Sequence, residues 1–193
     1  MISAIEQNAL RVELSVKAKN GIDFILSASV IWAGIGIIWM QNFTDYSKSI
    51  LTFIAGALLL PLAALISRII KTDWKVKNNP LEPLGLWLNF AQLFYFPILV
   101  LVLLKWPEFF LMTYMVITGA HFFPYAWYYK TPFYAIWDGI ISVSAFMLRI
   151  YLTTEENYLL AFLMSIFLLV LAYLLFIDYR KKNTLFSQNQ VSA

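Results

Sequence analysis

The sequence predicts an all-α protein, a polytopic transmembrane helical bundle of six spans with both termini in the cytoplasm. Hydrophobic residues make up 61% of its 193 residues and charged residues only 13%, whereas a soluble domain carries roughly 25% charged residues. The mean hydropathy is +0.72. Six apolar stretches approach the ~20 residues that a helix needs to cross a bilayer core. They lie at residues 22–40, 48–70, 84–104, 108–129, 132–152 and 157–178.

The predicted membrane domain, residues 21–180, is flanked by two segments of different character. In residues 1–20, apolar side chains such as Ile5, Ala9 and Val12 recur at helical spacing between charges. This pattern favours an amphipathic helix on the cytoplasmic membrane surface, with a plain cytosolic helix as the alternative. Residues 181–193 begin with two lysines and continue with mostly polar residues, which predicts a disordered tail.

The prolines of the membrane domain fall into two groups. Some precede a span and mark a boundary, while others fall inside a span, where proline kinks a helix and can free backbone carbonyls. We interpret the internal ones as packing kinks. The boundary prolines are Pro80, Pro83, Pro107 and Pro132, and the internal ones are Pro61, Pro97 and Pro124.

The distribution of basic residues predicts the orientation. Eleven of the 14 lysines and arginines lie in the amino-terminal segment, the second and fourth connections and the tail. The opposite face has only Lys48, Lys105 and Arg149. Basic residues collect on the cytoplasmic side, so we expect a multi-pass protein of the inner (plasma) membrane with both ends inside.

Polar residues inside the spans predict which helix faces touch protein or water. The fourth span has a polar stripe along its length, and the third and fifth have shorter ones. The sixth span has almost no polar residue except Ser165, which predicts a peripheral, lipid-facing helix. The candidate ligand-binding residues are Asn89, Gln92, Tyr114, Thr118, His121, Tyr125, Asp138 and Ser142.

His121 and Asp138 are the candidate acid/base pair. They lie nine residues before and eight after Lys130, in adjacent spans, which puts both ~8–12 Å inside the membrane boundary. An ionisable group in the bilayer is expensive, so Asp138 is a functional hypothesis by default. The spacing predicts that the two side chains face each other, as a proton-exchanging pair or as a structural hydrogen bond. Arg149 is predicted to have a structural role, in which it either snorkels to the interface or pairs with Glu108, Glu155 or Asp45.

The composition excludes several chemistries. With no cysteine and a single histidine, we expect no metal site within the chain, and no motif indicates a cofactor. The net charge of +3 is explained by the cytoplasmic basic residues, so we expect no nucleic-acid partner.

The stretch "GAHFFPYAW", followed by "IWDG", resembles small uncharacterised six-span bacterial membrane proteins. The resemblance implies the same membrane fold and carries no established activity.

These observations favour binding or transport of a small molecule through a cytoplasm-facing polar cavity between the third, fourth and fifth spans, with proton linkage through His121 and Asp138 as one form of this hypothesis. Two alternatives stay open at this point. One is a membrane enzyme that acts on a lipid or other apolar substrate with the same pair. The other is a non-catalytic partner or assembly subunit. The expected partners are the bilayer, an unknown small molecule or lipid, and a second copy of the chain in a homo-oligomer.

Overall fold

The structure is a computed structural model that describes residues 3–191, with side chains for residues 3–188. These residues form ten α-helices and three short 3-10 helices (Lys19–Gly21, Pro107–Phe109 and Thr154–Glu156), with no strand among them. The α-helices are α1 (Ala4–Lys17), α2 (Ile22–Trp39), α3 (Asp45–Ala57), α4 (Leu59–Ile70), α5 (Glu82–Leu93), α6 (Phe96–Lys105), α7 (Phe110–Ala120), α8 (Phe123–Tyr128), α9 (Phe133–Tyr151) and α10 (Tyr158–Val191).

Within the described residues, six helical stretches are long and apolar enough to cross a membrane, which confirms the predicted six-span, all-α fold. The direction in which the termini face stays a prediction. The spans, numbered one to six, are Lys19–Trp39, Asp45–Ile70, Glu82–Lys105, Pro107–Tyr128, Phe133–Tyr151 and Thr154–Gln188.

Three spans are built from two helices, and a proline explains each break. A proline ring clashes with the carbonyl four residues earlier. Because proline has no backbone N–H, it also cannot donate a helical hydrogen bond to that carbonyl. Four residues before Pro61, Pro97 and Pro124 lie Ala57, Leu93 and Ala120, which are the last residues of α3, α5 and α7. The internal prolines therefore set where the second, third and fourth spans bend.

The α2–α10 pair forms the centre of the bundle, so the prediction of a lipid-facing sixth span is wrong. Ser29 and Ser165 each donate a hydroxyl hydrogen bond to the other's carbonyl, at 3.0 and 2.9 Å. A Cβ at Gly36 would lie 2.7 Å from the Phe162 ring, so the helices touch closely there. Lipid tails are as apolar as leucine, so an apolar helix surface alone does not distinguish lipid from protein contact. The buried residues of α10 include Leu160, Ala161, Met164, Leu168, Leu171, Ala172 and Leu175.

The predicted disordered tail is also wrong as far as the structure describes it, because α10 continues to Val191. The extension is anchored where Lys182 Nζ donates to the Tyr129 carbonyl at 2.9 Å and to Ser15 Oγ at 3.1 Å. Residues 192 and 193 lie outside the described part.

Helix α1 packs across one end of the bundle, which we call the α1 end. Its buried residues are Leu14 and Ser15, whereas Ile5 and Ala9 of the predicted apolar stripe are exposed. The helix thus turns a different face to the protein and keeps part of its apolar stripe at the surface. The membrane-surface location of this helix stays a prediction.

The third span is the least buried of the six, with 11% of its most apolar window buried against 50% for the first. It contacts the bundle at both ends. At the α1 end, Gly85 packs on Tyr128, where a Cβ would lie 2.7 Å from the phenol oxygen. At the other end, Leu99 is buried and Phe96 packs on Phe53 with ring centroids 5.9 Å apart.

Candidate functional site

The polar stripe of the fourth span crosses the break between α7 and α8. Pro124 ends the regular helix, and His121 and Phe122 form the short turn that joins the two helices. The His121 and Tyr125 rings meet edge to face with centroids 5.3 Å apart. These two predicted site residues therefore lie together.

His121 and Asp138 do not form the predicted contact: no hydrogen bond or ion pair joins them in the described part of the chain. The α7–α9 contact runs through Gly119, whose added Cβ would lie 2.8 Å from Ser142 Oγ. His121 comes two residues later, in the turn beyond the end of α7, and its ring packs on Tyr125. Asp138 instead accepts a long hydrogen bond of 3.5 Å from Ser142. The direct-contact prediction is wrong because equal depth does not determine which way a helix is rotated.

Of the two third-span amides, Gln92 lies on the packed side and Asn89 does not. Asn89 is exposed, and its amide donates to the Gly85 carbonyl of its own helix at 2.9 Å. Gln92 is half-buried, and its side chain makes no hydrogen bond with a described residue.

The Gly85–Tyr128 contact fixes the register of the third and fourth spans. These consecutive spans run antiparallel. Gln92 lies seven residues after Gly85, and His121 lies seven residues before Tyr128. At 1.5 Å per residue, both are about 10 Å from that contact. Gln92 and His121 are therefore at the same depth.

Four tyrosines pack together between His121 and the α1 end. Successive ring centroids are 4.8–6.2 Å apart. Tyr134 donates to the Asn20 carbonyl at 2.6 Å, and Tyr128 to the Glu82 carbonyl at 3.2 Å. The Tyr125 hydroxyl is buried and has no partner among the described residues. Burial raises the pKa of Tyr129, as do its tyrosine neighbours, so that phenol stays neutral. The cluster is Tyr125, Tyr128, Tyr129 and Tyr134.

The remaining predicted residues serve packing. Tyr114 stacks on Trp32 with centroids 5.1 Å apart, and Thr118 donates to the Tyr114 carbonyl. Arg149 donates to the Leu152 carbonyl at 2.8 Å and lies over the Phe109 ring. Its predicted partner Glu108 makes no ion pair with it, and instead accepts a hydrogen bond from Asn157 through its carbonyl.

Sequence reasoning missed Asn20, the centre of the largest buried polar network at the α1 end. Asn20 has a left-handed backbone (φ 56°) and is fully buried. It accepts from Ser15 Oγ at 2.5 Å, and its amide donates to Asp178 and to the Leu175 carbonyl, each at 3.0 Å. The dipeptide Asn20-Gly21 is a turn signal that could have indicated this tight link between α1 and α2.

Asp23, which was not among the predicted site residues, ties the second connection to the first span. Its buried carboxylate accepts hydrogen bonds from Thr72 Oγ1 at 2.8 Å and from the Trp74 indole at 2.5 Å. An aspartate near the start of an apolar span needs such hydrogen-bond partners. The position of Asp23 in the sequence could therefore have indicated this contact.

The predicted cavity between the third, fourth and fifth spans does not coincide with either depression that stands out on the described surface. One, of about 330 Å³, is lined by residues 75–80, Glu82 and Pro83. The other, of about 320 Å³, is lined by Phe43, Ser47, Ile50 and Leu51. Among the described residues, no three histidine, cysteine, aspartate or glutamate side chains lie close enough to hold a metal ion.

Comparison with known families assigns the chain to a family but does not indicate an activity. The model of a family of unknown function (DUF7010) matches residues 7–178. The chain belongs to this family. The match includes the first five spans and the sixth span as far as Asp178. No curated protein and no solved structure matches the chain significantly.

Proposed function

We propose that this protein binds or transports a small hydrogen-bonding molecule at a site formed by Gln92, His121 and Tyr125. The observation that carries the proposal is the buried Tyr125 hydroxyl, which has no protein partner and lies against His121. Buried polar groups are ordinarily hydrogen-bonded, so an unpaired one at a polar stripe favours a ligand contact.

Two further features support this site. The His121 side chain makes no hydrogen bond with a described residue, and neither does the side chain of Gln92, which is at the same depth on the packed side of the third span. Together the three side chains supply an amide, an imidazole and a phenol, which can each donate and accept. The site therefore suits a neutral polar or amphiphilic molecule that reaches it from the side where the third span is loosely packed.

The membrane in this proposal is a bacterial-type inner membrane, with the α1 end in the cytoplasm. The support is the excess of lysine and arginine at that end. The site then lies in the cytoplasmic half of the bilayer.

The proposal is tested by mass spectrometry of small molecules that co-purify with the full chain. We expect a molecule retained by the wild type to be lost from His121→Ala and Tyr125→Phe. The matched control Tyr173→Phe changes an exposed tyrosine of α10 and should retain it. Equal retention by all four proteins would contradict the proposal.

One observation favours a second candidate, a homo-oligomer or an assembly subunit. The third span is largely unburied and exposes Asn89 next to large apolar side chains. Polar side chains in lipid tend to pair across helices. Cross-linking through a cysteine at Asn89, in membranes, would give a dimer on gels if this face pairs with a second copy.

A further inference from the structure

Four basic side chains at the α1 end have no protein partner. These residues are Arg68, Lys71, Lys75 and Lys77. All four are exposed, and none of their side chains makes a hydrogen bond or ion pair with a described residue. They follow one another within ten residues, at the end of α4 and in the connection from α4 to α5. Clusters of this kind beside a membrane span are typical of anionic headgroup binding.

The connection that carries the lysines is held in place by buried contacts. Thr72 and Trp74 donate to the Asp23 carboxylate, and the Asp73 amide donates to the Lys17 carbonyl at 3.0 Å. Asn79 donates to the Leu10 carbonyl and to Glu13, each at 2.9 Å. A connection fixed at these points presents its lysines without a further cost for ordering the backbone on binding.

The depression of about 330 Å³ lies in this connection and contains charges of both signs. Lys75 and Lys77 line it, and so does Glu82, whose carboxylate makes no ion pair with a described residue. Its volume is at the lower end of small-molecule sites, roughly 300–1,000 Å³. Trp74, the residue before Lys75, is 42% exposed. Partly exposed tryptophans are typical of the membrane–water interface.

We propose that this depression binds a phospholipid headgroup that carries both a phosphate and a primary ammonium, as phosphatidylethanolamine does. The phosphate lies between Lys75 and Lys77, and the ammonium donates hydrogen bonds to Glu82. Both contacts are charge-assisted hydrogen bonds. A headgroup with a phosphate alone leaves Glu82 unpaired beside an anion. A quaternary ammonium has no N–H to donate.

Native mass spectrometry of the full chain tests this proposal, with equal amounts of phosphatidylethanolamine, phosphatidylglycerol and phosphatidylcholine. The wild type should retain phosphatidylethanolamine over the other two. The double variant Lys75→Gln/Lys77→Gln should reduce that retention at least about fivefold, because a single lysine near a lipid surface already contributes about that factor to binding. Glu82→Gln should reverse the preference toward phosphatidylglycerol, and it serves as the test if the double variant does not fold.

The matched control, Lys105→Gln/Lys181→Gln, removes the same charge from two exposed lysines elsewhere and should retain the wild-type preference. An equal loss in this control would show a diffuse electrostatic effect and overturn the proposal. So would the absence of a preference in the wild type, or displacement of the lipid by millimolar inorganic phosphate, which would indicate a soluble-phosphate site.

Discussion

Tyr125 carries a hydroxyl that is buried and lacks a partner among the described residues. A buried hydroxyl without a hydrogen bond costs about 1–3 kcal/mol. A residue that served packing alone would be better as phenylalanine. A residue that contacts a ligand regains the lost hydrogen bond when the ligand binds.

Tyr125→Phe should therefore stabilise the ligand-free protein by roughly 1 kcal/mol, measured by thermal unfolding in detergent. The matched variant Tyr134→Phe loses the 2.6 Å hydrogen bond to the Asn20 carbonyl and should destabilise it by a similar amount. If Tyr125→Phe destabilises the protein as much as Tyr134→Phe does, the hydroxyl has a structural partner and the site assignment fails.

Asn20 should be the most sensitive polar position at the α1 end. Asn20→Ala removes three buried side-chain hydrogen bonds and puts alanine at positive φ, so we expect a loss of about 2 kcal/mol or more in unfolding free energy. Asn78→Ala is the control for backbone strain, since Asn78 also has positive φ (68°) but is exposed. Equal losses in the two variants would mean that the network around Asn20 contributes little.

At the scale of elements, the α2–α10 contact should be sensitive at Ser165. Ser165→Leu removes the hydroxyl that donates to the Ser29 carbonyl and inserts a larger side chain where Ser165 is 7% exposed. We expect a loss of about 1–3 kcal/mol, seen as a lower melting temperature. The control Leu169→Ile changes an exposed residue of the same helix and should be neutral. A fully tolerated Ser165→Leu would restore the lipid-facing assignment of α10.

The sequence was sufficient to predict the six spans and insufficient to predict how each helix is rotated about its own axis. Apolar lengths predict six spans, and the rule of the carbonyl four residues before a proline accounts for the bends at Pro61, Pro97 and Pro124. Spacing placed His121 and Asp138 in adjacent spans, but the neighbour that the His121 ring contacts, Tyr125, depends on how the chain turns after α7. The burial of α10 was not readable, because leucine faces lipid and protein equally well. Asn20 depends on contacts with α10, some 155 residues away, which no local pattern shows.

For the whole molecule, the orientation prediction can be tested because the chain has no cysteine. Single cysteines at Lys75, Lys130 and Leu185 should be protected in intact cells from a membrane-impermeant thiol reagent, since the excess of basic residues indicates that this end is cytoplasmic. A cysteine at Lys105, on the opposite face, should be labelled. Labelling at Lys130 with protection at Lys105 would invert the topology.

The central claim is that the polar site lies between the third and fourth spans, at Gln92 and His121, and not between the fourth and fifth. Paired cysteines in the cysteine-free chain test it most directly, through cross-linking in membranes with a short bifunctional thiol reagent. We expect Gln92→Cys/His121→Cys to cross-link efficiently and His121→Cys/Asp138→Cys to cross-link poorly. Efficient cross-linking of the 121–138 pair, with none between 92 and 121, would contradict the account.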